Sequence, residues 1–223
     1  MRFALTTALL CLPLWLAGPT PAPQSTELLR HPDSPEFTRP APAKSRVALM
    51  TSKGTIVIEV TRDWAPLGAD RFYNLARLGY YNDMRIHRVV EDKWAQFGIN
   101  GTPAIAQAWR TATFADDPFI KTHSNVRGTV AFAFKDKNAR TTQLFINLRN
   151  NAATHDLEPF VPFGTVVEGM DVADALNKEY GETSGGGIRA GKQDPLFEGG
   201  NAYFDKMWPR LDRIIRATVA GER

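Results

Sequence analysis

Met84-Arg85-Ile86-His87-Arg88-Val89-Val90, followed shortly by Gln96-Phe97-Gly98, is the stretch on which the reading of this chain turns. Arg88 sits in a β-branched run that otherwise reads as a buried strand. A cation there is costly to desolvate unless it is paired or lies at a surface cleft. A second run, Thr141-Thr142-Gln143-Leu144-Phe145-Ile146-Asn147, places Gln143 among similar apolar neighbours. Two such polar side chains on strands of one barrel would meet in a groove and grip a peptide amide.

Outward from these runs the chain is a series of short β-rich segments. Val47-Ala48-Leu49-Met50-Thr51 and Thr55-Ile56-Val57-Ile58-Glu59-Val60, parted by Ser52-Lys53-Gly54, predict a hairpin. A helix follows, with Asp63 as its cap and Pro66 in its first turn. Leu67, Ala69, Phe72, Leu75 and Ala76 lie on one face, and Gly79 ends it. Strands are expected at 85–90, 95–99, 129–134, 143–148 and 163–168, with surface loops over 101–126. A short helix is expected over 171–178, and irregular backbone over 180–201. An amphipathic segment at 202–214 and a β-prone end at 215–220 complete the chain. Many short strands with two helices predict an all-β fold, an antiparallel closed sheet with helices over its openings.

The first residues read as an export signal. Arg2 gives a short positive start, residues 3–17 are apolar but too few for a comfortable membrane span, and small residues and prolines follow. A signal peptide is therefore expected over 1–23, with an uncleaved anchor as its rival. A lipidation site is disfavoured, because Leu9-Leu10 precede Cys11. Cys11 is the only cysteine and falls in this segment, which leaves no disulfide, thiolate nucleophile or cysteine metal site beyond it. Residues 24–45 read as a Pro-rich linker, 46–180 as one domain, and 181–223 as a Gly-rich loop and C-terminal extension packing on it. Charge is nearly balanced, 27 basic against 24 acidic residues, with no basic stripe interleaved with aromatics. Nucleic-acid binding is not suggested.

The chain resembles the cyclophilin family of peptidyl-prolyl cis/trans isomerases. The resemblance covers residues 46–180 and rests on six motifs in order. These are Asp70-Arg71-Phe72-Tyr73-Asn74-Leu75; Tyr80-Tyr81-Asn82 leading to His87-Arg88-Val89-Val90; Gln96-Phe97-Gly98; Gly128-Thr129-Val130-Ala131-Phe132-Ala133; the run around Gln143 and Phe145; and Pro162-Phe163-Gly164-Thr165-Val166-Val167-Glu168-Gly169-Met170. Gly200-Asn201-Ala202-Tyr203 is similar to an extension of some bacterial members. The resemblance implies a closed eight-stranded antiparallel barrel capped by two α-helices. It implies a bacterial-type, exported isomerase that turns X-Pro bonds and assists folding of exported proteins, in the periplasm or outside the cell. Its partners would be proline-containing polypeptides, with no membrane after signal cleavage, a monomeric state and no cofactor or metal.

By that likeness Arg88, Gln96 and Phe145 are catalytic. His87, Trp94, Ala133, Phe134, Gln143 and Phe160 form the substrate site. A guanidinium cannot act as a base near neutral pH, but it offers several donors in a rigid fork, which suits a twisted amide whose nitrogen has become an acceptor. Gln96 would orient Arg88 or the substrate backbone, Gln143 would hold the flanking peptide, and Phe145 would be the apolar floor. Ala133 and Phe134 would line the groove. His87 alone reads more naturally as a packed, hydrogen-bonded residue than as a proton shuttle.

Some positions depart from the family. Lys93 and Trp94 stand where an aromatic and a Met-like residue are usual. Ala152-Ala153-Thr154-His155-Asp156-Leu157 replaces a Trp-Leu pair, and Phe160 falls where many eukaryotic members carry His. Lys93 and Ala153 motivate an alternative, a catalytically weak cyclophilin-like module that binds proline-containing peptides. Gly186-Gly187-Ile188-Arg189-Ala190-Gly191-Lys192 matches the start of a phosphate-binding loop. Gln193 stands where that motif needs Ser or Thr, and Pro195 argues against the helix the motif requires.

Overall fold

The computed structural model describes residues 24–119, 123–187 and 191–220. The expected signal peptide, and residues 188–190 of the segment similar to a phosphate-binding loop, lie outside the described residues. The chain runs α1 (Gln24–Leu28), β1 (Lys44–Thr51), β2 (Gly54–Thr61), α2 (Pro66–Arg77), β3 (Met84–Arg85), β4 (Arg88–Val90), β5 (Trp94–Phe97), α3 (Pro103–Arg110), β6 (Thr129–Phe132), β7 (Leu144–Asn147), α4 (Ala152–His155), β8 (Pro162–Glu168), α5 (Met170–Asp174), α6 (Asp194–Met207) and β9 (Arg213–Val219). Short 3-10 turns occupy Pro35–Phe37, Arg62–Trp64 and Thr183–Gly185.

Among the described residues the strands form one nine-stranded antiparallel sheet, ordered β3-β9-β1-β2-β8-β6-β7-β5-β4. This corrects the expected closed eight-stranded barrel, because no ladder joins β3 to β4. These two edges are nonetheless consecutive in the chain, separated only by Ile86 and His87. That short link draws the edges together and curls the sheet around its core. The single strand expected over 85–90 is therefore two, β3 pairing with β9 and β4 with β5. At the break, Ile86 N–H donates to the Asp212 carbonyl at 2.8 Å.

The β1–β2 hairpin turns through Ser52-Lys53, with Thr51 opposite Gly54. Its register sets Val47 against Ile58 and Leu49 against Ile56, all four buried on the inner face. Phe72 of α2 packs in the same core against Tyr81 and Phe163, with ring centroids 5.5 and 5.0 Å away. Not two but six α-helices are present among the described residues, and α2, α3 and α5 contribute to the core. α3 falls inside the stretch expected to be loop, and its Ile105 and Trp109 are buried. Asp63 does not cap α2. The Asp117 carboxylate, distant in sequence, accepts from Leu67 and Gly68 N–H at 2.9 and 2.8 Å.

Residues 24–45 are not a free linker. Leu29 and Phe37 are buried, Trp109 Nε1 donates to the Leu29 carbonyl at 2.7 Å, and Asn74 Nδ2 donates to the Arg39 carbonyl at 2.7 Å. At the other end the sheet continues past residue 180, since β9 pairs with both β1 and β3. Pro195 lies in the first turn of α6, where its missing N–H costs no helical bond. α6 kinks at Gly200 and packs on α3 through Leu196, Phe197 and Phe204, which cluster with Ile99 and Ala106.

The Gln96-Phe97-Gly98 motif has a backbone reason for its glycine. Gly98 has φ +127°, and a Cβ there would lie 2.3 Å from the Thr142 carbonyl oxygen. Only glycine lets β5 approach the strand carrying Gln143 this closely.

Candidate active site

Sheet register assembles the site. Arg88 of β4 lies opposite Gln96 of β5, Gln96 opposite Phe145 of β7, and Phe145 opposite Ala131 of β6. Directly opposed residues share a face, and residues two apart along a strand share it again. Trp94, Gln96, Gln143, Phe145, Ala133 and Arg88 thus belong to one face. The alternate residues Val89, Ala95, Phe97, Leu144 and Ile146 point into the core.

The polar members form a chain of bonds. Arg88 Nη1 donates to Gln96 Oε1 at 2.7 Å, and Gln96 Nε2 donates to Gln143 Oε1 at 2.9 Å. Gln143 and Gln193 exchange amide bonds, at 2.9 Å outward and 3.2 Å in return. Glu182 completes the Arg88 environment, its Oε2 lying 2.7 Å from Nε and 2.5 Å from Nη2. Three of the five guanidinium N–H groups are thereby engaged, and two remain. The Arg88 guanidinium also lies 5.3 Å from the Trp94 ring centroid, an attractive cation–π placement.

Beside this chain lies a cleft of about 680 Å³, lined by Arg88, Lys93, Trp94 and Gln96 with Ala133, Phe134, Phe145, His155 and Phe160. Its floor is aromatic. The Phe145 ring is 5.2 Å from His155 and 5.3 Å from Phe160, the Phe160 ring is 4.7 Å from Phe134, and His155 is 5.4 Å from Trp94. The segment carrying His155 and Phe160 is tied down by Asp156, which accepts from Asn125 N–H and Nδ2 at 2.9 and 2.8 Å. Burial works against the charge on Asp156, but bonds from Ser124 and Asn125 hold its carboxyl below the usual range.

Eight of the nine anticipated residues gather here. His87 does not. It is fully buried outside the cleft lining, with its ring 5.9 Å from that of Phe204 of α6. Burial, reinforced by the adjacent Arg88 charge, pulls its imidazole down to about 3, so it is neutral near pH 7. Gln143 also differs from expectation, since both ends of its amide are engaged within the protein.

Three residues escaped the sequence reading. His155 forms a wall of the aromatic floor, and burial lowers its imidazole below the ordinary value. Glu182 and Gln193 reach the site from a Gly-rich stretch that carries no periodic signal. A His in the segment replacing the Trp-Leu pair was the only available hint.

Comparisons with known proteins bear on the family and the fold. The family model "Cyclophilin type peptidyl-prolyl cis-trans isomerase/CLD" matches residues 46–196. The chain is 32% identical over 161 residues to peptidyl-prolyl cis-trans isomerase A of Dickeya dadantii, covering 68% of this chain and 80% of that one. It is 34% identical over 139 residues to the isomerase cyp18 of Streptomyces antibioticus, covering 59% of this chain and 82% of that one. A solved cyclophilin type peptidyl-prolyl cis-trans isomerase of Cryptosporidium parvum shares the fold, with TM-score 0.56 and 15% identity over 81% of this chain and 99% of that one. With a curled antiparallel sheet, an outward Arg88–Gln96–Phe145 row and a family match across most of its length, the chain belongs to the cyclophilin-type peptidyl-prolyl cis-trans isomerases and is an isomerase.

Proposed function

We propose that this isomerase rotates X-Pro bonds in exported polypeptides through the cleft beside Arg88, assisting their folding as a single chain outside the cytoplasm. One observation carries the mechanism: a guanidinium fixed by two partners stands at the edge of an aromatic floor.

The barrier to rotation, about 18–20 kcal/mol, is amide resonance. Without catalysis the X-Pro bond turns over in tens to hundreds of seconds. Lowering the barrier requires a surface that favours the twisted amide, whose nitrogen has regained its lone pair. The proline ring rests on Phe145, between Phe160, His155 and the Trp94 side. The two remaining Arg88 donors then face the prolyl nitrogen and its carbonyl. Gln96 holds the guanidinium, and Gln143 holds Gln96 rather than the peptide. Donors oriented before substrate arrives need no reorganisation at the moment of rotation, and they favour the twisted state over both planar ones.

A protease-coupled assay on an Ala-Pro peptide, with Arg88→Ala beside the chain lacking residues 1–23, tests the reading. The expected result is turnover well above background, lost in Arg88→Ala. Peptide binding without turnover would leave a proline-binding module instead. Export is tested separately, by fractionating cells that express the full sequence and determining the N-terminus of the exported product. Full-length protein confined to the cytoplasm would overturn it.

A further inference from the structure

We propose that Glu182 is a positioning residue for the reaction, holding Arg88 from outside the strands that carry the rest of the site. This inference rests on the isomerase reading.

The 3-10 turn Thr183–Gly185 lies across the Arg88 stem. Gly185 approaches so closely that a Cβ there would lie 2.5 Å from Arg88 Cδ and 2.7 Å from Cβ and Cγ. That contact leaves Arg88 no room to swing toward the turn. Glu182, entering the same turn, places one carboxylate oxygen on both Nε and Nη2. Gln193 closes the arrangement, its Nε2 donating to the Gly185 carbonyl at 3.1 Å while its amide pairs with Gln143. The bonds form a ring: Arg88 to Gln96, Gln96 to Gln143, Gln143 to Gln193, Gln193 to the Gly185 backbone, and the turn back to Arg88. The Arg88 side chain is 11% exposed and that of Glu182 33%.

A long flexible side chain on a strand edge would otherwise sample several rotamers, and only some of them direct donors at the cleft. Gln96 fixes one Nη. Glu182 fixes the Nε side, so two contacts define the plane of the guanidinium. The end left free is the end that substrate meets. Because the carboxylate binds donors that the peptide does not need, its contribution appears in turnover rather than in peptide affinity.

The test compares wild type, Glu182→Gln, Glu182→Asp and Arg88→Ala in the peptide assay, with thermal melting and the exchange rate of the Arg88 Nε–H resonance read on each. Glu182→Gln is expected to lower kcat about tenfold or more, with KM within about twofold and an unchanged melting temperature, while Nε–H exchange accelerates. Glu182→Asp keeps the carboxylate and recovers part of the rate. Should Glu182→Gln melt early, Glu182→Asp carries the test, its shorter side chain drawing the carboxylate back from Nε and Nη2: a lowered kcat with KM unchanged supports the inference, and wild-type kcat with wild-type Nε–H exchange overturns it. Wild-type kcat in a folded Glu182→Gln overturns the inference. A higher kcat/KM also overturns it, since the carboxylate would then be competing with substrate for Arg88. An inactive wild type is a different result, and it removes the isomerase reading itself.

Discussion

Arg88 and His87 are neighbours in sequence with opposite fates, one lining the cleft and the other packed against Phe204 of α6. Arg88 faces outward, where Gln96 and Glu182 meet its charge. Losing it is expected to remove about 2–4 kcal/mol of transition-state stabilisation, by analogy with single oxyanion-type donors. That is about a 30- to 1,000-fold loss in kcat/KM for a folded Arg88→Ala. Arg88→Lys is expected to fare little better, because a single ammonium cannot satisfy both partners and still present a planar fork. His87 is fully buried against Phe204, with its imidazole at about 3. The unfolded chain takes up this proton near pH 6.5, and the folded chain does not until about pH 3. Its contribution is therefore complete above pH 6.5 and is lost as pH falls toward 3, with a slope of about 1.4 kcal/mol per pH unit. Urea unfolding at pH 7, 5 and 4 should show His87→Leu losing less stability on acidification than wild type; identical slopes would contradict this. Some acid sensitivity remains in the variant, since burial also lowers His155.

At the scale of elements, caps and floors come from distant parts of the chain. α2 begins at Pro66, and its first N–H groups are met by Asp117 rather than Asp63. Asp117→Ala is expected to cost about 1–2 kcal/mol of stability, and Asp63→Ala within about 0.5 kcal/mol; denaturant midpoints of the two variants decide between these caps. The cleft floor behaves as a binding element. Phe160 is half-buried and touches Phe134, Phe145 and His155. Its truncation to Ala removes apolar contact that planar and twisted prolines share, so KM is expected to rise several-fold with kcat nearly unchanged. An equal fall in kcat with KM constant would instead place Phe160 in the transition-state machinery. The hairpin was legible because alternation and turn chemistry are local. The division between β3 and β4 was not, because it depends on which distant strand, β9 or β5, each half meets.

At the scale of the whole molecule, β9 completes the sheet. It pairs with β1 and β3 at once and buries Ile214 and Ala217. A chain ending at residue 180 would leave one side of β1 unpaired and expose α3 where α6 covers it. Such a truncation is expected to lose its cooperative urea transition and near-UV circular dichroism, and a native-like transition in it would show the extension to be dispensable. The order of polar and apolar residues along 84–98 and 129–147 sufficed by itself for an antiparallel sheet, for Arg88 and Gln143 at a groove, and for the likeness to an isomerase family. Alternation decides which face a side chain takes, and that information is local. What closes on Arg88 was decided only by tertiary structure. Glu182 is 94 residues away from it and Gln193 lies 50 residues from Gln143. Nothing in the residues between them encodes the meeting, which follows from how the curled sheet and its returning extension pack. The open edge between β3 and β4, the burial of His87 and the docking of residues 24–45 have the same origin: each depends on the surface that the rest of the chain presents.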